Sequence, residues 1–444
     1  MQLFPYQIEG AAFLARVKRG LLADEMGLGK SAQAIAATAL VHGAPVVAVV
    51  CPASLRQNWF REFERFWPGL ISYSLEVHSY DMVARGALDD WRGDVLILDE
   101  AHYLKNHKAK RTKAIFGPKC DGDAGLVSRA NHVFCLTGTP TPNNPSELWP
   151  MLRAVMPDSI RRPLKVEAAP GKVDGTALRS GAVIDNKGKP LAYWPFVERF
   201  CVTQDTGFGI KIVRGKNLPE LKERIAPFIL RRKKDEVLKD LPPIRFDTLA
   251  LDGKMVLTTE ASEELAKAYA ALEADGVEGL KAIAPHVAKL RRITGLAKVE
   301  AATDWIAEQL EGGLEKLVVF AHHKDVLSAF ARHFEGDYAM VAGDTKPESR
   351  QEAVDRFQNL PRCKLFLGQI QAAGTGLTLT AASDVLFVES SWTPSDNQQA
   401  AMRVHRIGQR NACLVRFAML AGSIDEDIQR AVLRKTTDIA KLFS

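Results

Sequence analysis

Apolar residues in the first half of the chain come in short runs bounded by turn residues: "RGLLADE", "PVVAVVCP", "DVLILDEAH" and "HVFCLTGTP". Longer stretches of helical period separate them. Runs that stay apolar on consecutive positions suit strands buried on both faces, so the pattern predicts a parallel sheet covered by helices on each side. From about residue 300 the rhythm returns in "KLVVFAHH", "DYAMVAGD", "KLFLGQIQ", "DVLFVES" and "CLVRFAML". The expectation is an α/β protein with two parallel-sheet domains in tandem, 1–245 and 246–444. At 444 residues the chain is also too long for one typical core.

Between the two rhythms the pattern breaks. Residues 163–190, "PLKVEAAPGKVDGTALRSGAVIDNKGKP", are rich in Gly, Pro and Lys and read as a mobile loop within an insertion near 155–230. Residues 255–300 are rich in Ala, Glu and Lys at 3.6-type spacing, which predicts helices projecting from the second domain. Residues 423–443, "SIDEDIQRAVLRKTTDIAKLF", open on a cap and acids and continue with basic residues, as a terminal helix does.

Composition changes this picture little. With 46% hydrophobic and 25% charged residues the chain reads as an ordinary globular protein. No apolar run reaches the roughly 18 residues that span a bilayer, and "MQLFPYQIEG" lacks the regions of a secretory signal. The expectation is an intracellular protein away from membranes, cytoplasmic in a bacterial or viral host and nuclear in a eukaryote. The six cysteines are scattered without metal spacing and read as reduced and structural. A net charge of +6 permits a nucleic-acid partner without demanding one. Two basic clusters stand out, "KNHKAKRTKAIFGPK" at 105–119 and "RRKK" at 231–234; each reads equally as a solvated face or a contact.

Chemistry enters at "ADEMGLGKSAQAIAA". Gly27 and Gly29 allow close backbone approach, the following helix supplies free N–H groups, Lys30 reaches β and γ phosphates, and Ser31 can hold magnesium. The strict phosphate-loop pattern has a glycine where this chain has Asp24. In "VLILDEAH" a strong apolar strand runs into Asp99 and Glu100, which suits the carboxyl edge of a sheet where ligands bind. Asp99 fits the magnesium shell and Glu100 the polarising of attacking water. Further on, "QQAAMRVHRIGQR" at 398–410 carries Arg403 and Arg406 three apart; on a helix they share one face.

Together, "DEMGLGKS", "DEAH", "LTGTP" (136–140), "AAGTGLTLTAAS" (372–383) and "RVHRIGQR" (403–410) resemble the Swi/Snf-type branch of superfamily 2 helicases. "FAHHKDVL" (320–327) and "FILRRKKDEVLKDLPP" (228–243) are similar to the annealing-helicase subgroup, with the chain read as a minimal motor. The resemblance implies two RecA-like lobes with helical protrusions between them. ATP and Mg²⁺ are the implied cofactors and double-stranded or branched DNA the partner; protein partners stay open. It assigns Gln7 of "PYQIEG" to the adenine edge, Gly376 to the nucleotide, and Thr137, Gly138 and Thr139 to coupling hydrolysis with movement. Ser54, Ser79, Tyr80, Lys105, His322, Thr375 and Trp392 are its DNA positions, and Arg403 and Arg406 its arginine fingers. Trp59 and Trp67 read as core packing, and Arg410 takes no role. The implied activity is DNA-stimulated ATP hydrolysis driving translocation on duplex DNA. A strand-separating helicase and an ATP-gated binding switch are the alternatives.

Overall fold

The computed structural model describes residues 3–41, 43–67, 69, 72–140, 144–161, 189–205, 207, 209–251, 263, 270, 284–334, 338–374, 376–391 and 394–420. The chain divides into two compact units, Met1–Val237 and Leu238–Ser444.

In the first unit six parallel strands form one sheet: β1 (Arg19–Leu22), β2 (Val46–Cys51), β3 (Ser74–Ser79), β4 (Gly93–Asp99), β5 (Ala130–Leu136) and β8 (Ile229–Leu230). Their spatial order is β3-β2-β4-β5-β1-β8. Side chains alternate between two cores. Val47, Val49 and Cys51 pack on one face of β2, and Ala48 and Val50 on the other. That explains the unbroken apolar runs, because both faces are covered by helices. Three helices matter to the site: α1 (Pro5–Val17), α2 (Lys30–Ala39) and α3 (Arg56–Phe66).

The 155–230 region contains an antiparallel pair, β6 (Cys201–Asp205) with β7 (Ile210–Gly215). The loop expected at 163–190 lies almost wholly outside the described residues.

The second unit repeats the design with β9 (Ile244–Leu251), β10 (Leu317–Ala321), β11 (Tyr338–Val341), β12 (Leu365–Gln369), β13 (Asp384–Phe387) and β14 (Cys413–Leu420). Their order is β11-β12-β10-β13-β14-β9, again all parallel. The sequence pattern located every strand here except β9, whose burial alternates weakly because it is an edge strand. β3 and β8 escaped for the same reason. Of the helices expected over 255–300, Ala284–Ala297 is seen; most of the rest, and the C-terminal helix, lie outside the described residues.

One expectation is corrected. Arg403 and Arg406 do not share a helix face, since the helix Pro394–Ala401 ends before either. The chain turns there because Arg403 N–H bonds the carbonyl of Ala400, and Leu379 N–H takes the Arg403 carbonyl.

Candidate active site

Parallel strands deliver their carboxyl ends to one edge, so the segments after β1, β2, β3, β4 and β5 all meet there. Register sets the level. Leu136 of β5 pairs with Leu22 of β1 on one side and with Asp99 of β4 on the other. The glycine-rich loop and the two acids are thereby brought to the same height of the sheet although β5 lies between them.

The loop is shaped by Gly27 (φ 88°) and Gly29 (φ 70°), both left-handed. A Cβ on Gly29 would come within 2.4 Å of Gln7 Nε2. Lys30 opens α2 and folds back so that Nζ donates to the carbonyls of Asp24 (2.9 Å) and Glu25 (3.4 Å). Ser31 follows, half-buried at the helix start. Just after β5, Gly138 packs against the loop: a Cβ there would lie 2.6 Å from Met26 Cγ and 3.5 Å from Lys30 Nζ.

Asp99 is 9% exposed. Its Oδ2 accepts from Trp59 Nε1 (2.9 Å) and its Oδ1 from its neighbour's backbone, Glu100 N–H (2.9 Å). Burial, then the Glu100 charge, push its carboxyl up to about 7, against the pull of the Trp59 hydrogen bond and of Lys30. Glu100 sits in the left-handed region, φ 50°, which turns its side chain out of the strand line. Its Oε2 lies 3.1 Å from His102 Nδ1, and that nitrogen is 3.0 Å from Thr137 Oγ1. Thr137 Oγ1 also accepts from Thr139 N–H. A polar line therefore runs from Glu100 through His102 to the Thr137–Thr139 turn.

These residues fit magnesium. Asp99 offers hard oxygen atoms, each already held by one donor, and Lys30 lies close enough to act on its charge. With Ser31 it would hold the ion, which supplies charge neutralisation at bound phosphates.

Asp24, the departure from the strict loop pattern, is fully buried. Arg232 grips it with Nε on Oδ1 (3.0 Å) and Nη2 on Oδ2 (2.6 Å), and Nη2 also donates to Gln33 Oε1 (2.8 Å). Lys234 N–H bonds Glu25 Oε2 (2.8 Å), and Lys234 is 5% exposed. Two members of the "RRKK" cluster, Arg232 and Lys234, thus clasp the phosphate loop, while Lys233 is exposed.

In the second unit Glu389 is nearly fully buried and gathers the turn after β10. Its Oε2 accepts from His322 N–H and His323 N–H (both 2.9 Å), and Oε1 meets His323 Nδ1 (2.6 Å). Burial raises its carboxyl, but His323 and Arg291 outweigh this and hold it below the usual range. The same surroundings, burial first, then Arg291 and His323, push the His322 imidazole down to about 4.

A match to the SNF2-related domain covers residues 6–87 and 70–167, and a match to the Helicase conserved C-terminal domain covers 297–408. The chain belongs to the SNF2-related helicase family. Among curated relatives, it is 32% identical to the "SWI/SNF-related matrix-associated actin-dependent regulator of chromatin subfamily A-like protein 1" of Xenopus laevis, over 96% of this chain and 42% of that one. It is 28% identical to the "DNA annealing helicase and endonuclease ZRANB3" of Mus musculus, over 98% and 40%. The chain therefore spans about two fifths of the length of these relatives. A solved SWI2/SNF2 ATPase core of Sulfolobus solfataricus in complex with dsDNA aligns at TM-score 0.42 and 23% identity, covering 100% of this chain and 93% of that one.

The SNF2-family DNA positions fall unevenly. Ser54 is exposed on the short turn after β2. Lys105 is half-buried, 3.2 Å from Glu147 Oε1. Around it Lys108, Lys110, Lys113 and Lys119 are exposed. Ser79 and Tyr80 are buried. Ser79 Oγ caps a helical turn by accepting from Met82 N–H, and Tyr80 is 3% exposed with its hydroxyl donating to the Asp99 carbonyl (2.7 Å). Gln7 is also buried. Its oxygen accepts from Phe4 N–H and its nitrogen donates to Leu28 O, so the amide supports the loop while keeping one lone pair and one N–H uncommitted by these two bonds. Gly376 is left-handed at φ 76°; Thr375 and Trp392 lie outside the described residues.

In the "RVHRIGQ" segment of this SNF2-family chain Arg403 is buried, with Nε on the Gln399 carbonyl and Nη1 on that of Leu377. Arg406 is half-buried, with Nη1 on the Leu377 carbonyl and Thr378 Oγ1. Sequence reasoning missed the roles of Trp59, Arg232 and Glu389. Asp24 in a glycine's place was the one visible signal. Among the described residues no helix is long and apolar enough to cross a membrane.

Proposed function

We propose that the chain is an ATP hydrolase stimulated by DNA, which uses hydrolysis to translocate on double-stranded DNA and to remodel or reanneal it. The observation that carries this reading is the gathering of Lys30, Asp99, Glu100 and Gly138 at one sheet edge. Family membership supports it, and the similarity to DNA annealing helicases supports the reannealing arm. Lys30 would leave its carbonyl partners for the β and γ phosphates, Gly27 and Gly29 would let backbone N–H groups close on them, and Ser31 with Asp99 would hold Mg²⁺. Glu100 is largely buried beside His102, 3.1 Å from Oε2 to Nδ1, which would fix its carboxylate as a group that orients attacking water must be.

Arg406 is the arginine we assign to γ-phosphate charge, since it is the more exposed of the pair. Arg403 braces the Leu377 segment that Arg406 also touches. Ser54, the lysines of 105–119 and His322 are the phosphate-gripping positions that remain available for DNA, which such a motor holds without reading bases.

ATP turnover is measured against single-stranded, duplex, forked and RNA ligands. Duplex DNA is expected to stimulate most; no rise with duplex sinks the motor reading and favours an ATP-gated switch. Strand separation is supported by one feature, the exposed β6–β7 pair, whose shape suits a wedge. Fork unwinding beside triplex displacement decides between the two.

A further inference from the structure

We infer that Trp59 and Tyr80 are positioning residues for Asp99, holding it in the orientation that binds the divalent cation. The inference rests on the nucleotide-hydrolase reading of the site.

An isolated carboxylate that ends a strand can rotate about its last bond. Asp99 is hindered from doing so, because its two oxygens accept from different donors, Oδ1 from Glu100 N–H and Oδ2 from Trp59 Nε1. One lone pair on each oxygen is thereby committed, and those that remain have a fixed direction. Tyr80 secures the backbone of the same residue, its hydroxyl 2.7 Å from the Asp99 carbonyl. The two aromatics arrive from different helices. Trp59 lies on α3, which follows β2, and Tyr80 opens the turn Tyr80–Val83, which follows β3.

Trp59 is 1% exposed and Tyr80 3% exposed, so neither donor competes with water for its acceptor. Simple packing does not account for this pair. A phenylalanine would fill either place, whereas each residue carries one polar hydrogen, and each delivers it to Asp99. Donors behind a metal-ligating carboxylate typically contribute 10- to 100-fold in metal affinity.

The test uses the full chain and equilibrium binding of a fluorescent ADP analogue over a Mg²⁺ titration, which requires no turnover. Trp59→Phe should raise the Mg²⁺ midpoint about tenfold, and Tyr80→Phe by a smaller factor, with metal-free nucleotide affinity unchanged. Phe63→Leu serves as the packing control. Phe63 is fully buried on α3, 6.2 Å from Trp59 between ring centres. A folded Trp59→Phe with the wild-type midpoint overturns the inference, and so does an equal shift in Phe63→Leu. If Trp59→Phe fails to fold, as read by its thermal midpoint, Tyr80→Phe decides by the same criterion. Failure of the underlying reading looks different: Lys30→Ala would then bind the analogue as tightly as wild type, with no Mg²⁺ dependence in either.

Discussion

Arg232 and Asp24 stand 208 residues apart in the chain and share a buried bidentate ion pair, 2.6 Å at its shorter contact. Asp24 is the first residue of the phosphate loop and Arg232 follows the last strand of the first unit. Replacing Arg232 with alanine strands a fully buried carboxylate, a loss of roughly 3–5 kcal/mol. Denaturant unfolding of Arg232→Ala should show that loss. The joint replacement Asp24→Asn with Arg232→Met should restore much of it, because no uncompensated charge remains.

Lys30→Ala and Glu100→Gln should both abolish ATP turnover with little change in unfolding midpoint. For Glu100→Gln the loss should be about 10²–10⁴-fold, the usual worth of a general base. Near-normal hydrolysis by Glu100→Gln would remove it from that role.

Asp99 supplies a pH signature. Its carboxyl stands at about 7 in the folded chain, against about 4 when unfolded. Between those values the folded state holds a proton that the unfolded state has released. The contribution of this group to stability is therefore greatest below about pH 4 and is lost as pH rises towards about 7. Cation binding requires the ionised form and runs the other way, tightening by up to about tenfold per pH unit below 7 and levelling above it. Mg²⁺ titrations of nucleotide binding at about pH 6 and pH 8 should differ accordingly; equal midpoints would show that Asp99 is not a ligand.

The arginines of "RVHRIGQ" should separate. Arg406→Ala is expected to keep ATP binding while turnover falls by roughly 10³–10⁵. Arg403→Ala takes from the Gln399 carbonyl its Arg403 donor and empties a buried site, and should lower the unfolding midpoint as well, while the Leu377 carbonyl keeps Arg406. Identical thermal behaviour of the two variants would contradict this division.

Gly29→Ala meets two obstacles at once, a φ of 70° and Gln7 Nε2 at 2.4 Å from the new methyl. Nucleotide affinity should drop several-fold and stability by roughly 1–2 kcal/mol. Adding Gln7→Ala should relieve the steric part alone, and calorimetry on both variants separates the two effects.

Much of the fold was legible because strand burial leaves a local trace. Val46–Cys51 and Leu317–Ala321 are apolar on every position, and only a sheet covered on both faces asks for that. Ser74–Ser79, an edge strand with mostly polar and partly exposed positions, leaves no such trace and was missed, whereas the edge strand Tyr338–Val341 is apolar enough to be read. Gly27, Gly29, Lys30 and Ser31 were readable for a related reason: a phosphate loop is built from neighbours in sequence, so its chemistry is written in one short window. The same holds for Asp99 beside Glu100.

Expectations that crossed between windows fared differently. Tyr80, which the resemblance assigned to DNA, has its hydroxyl on the Asp99 carbonyl, a contact no sequence window could show. Within 231–234, left open between a solvated face and a contact, Arg232 closes on Asp24 and the Lys234 N–H on Glu25. Arg403 and Arg406 were placed on one helix face, and a turn after Ala401 brings them to the Leu377 carbonyl by another route.

By itself the sequence determined which elements form and which short loops can hold a phosphate, since propensity, periodicity and glycine conformations act over a few residues. Tertiary structure alone decided which side chain reaches Asp99 and which arginine neutralises Asp24. Those pairings depend on strand order and register. Trp59 and Asp99 are 40 residues apart, and only the parallel pairing of β2 with β4 places the helix that follows one strand over the acid that ends the other.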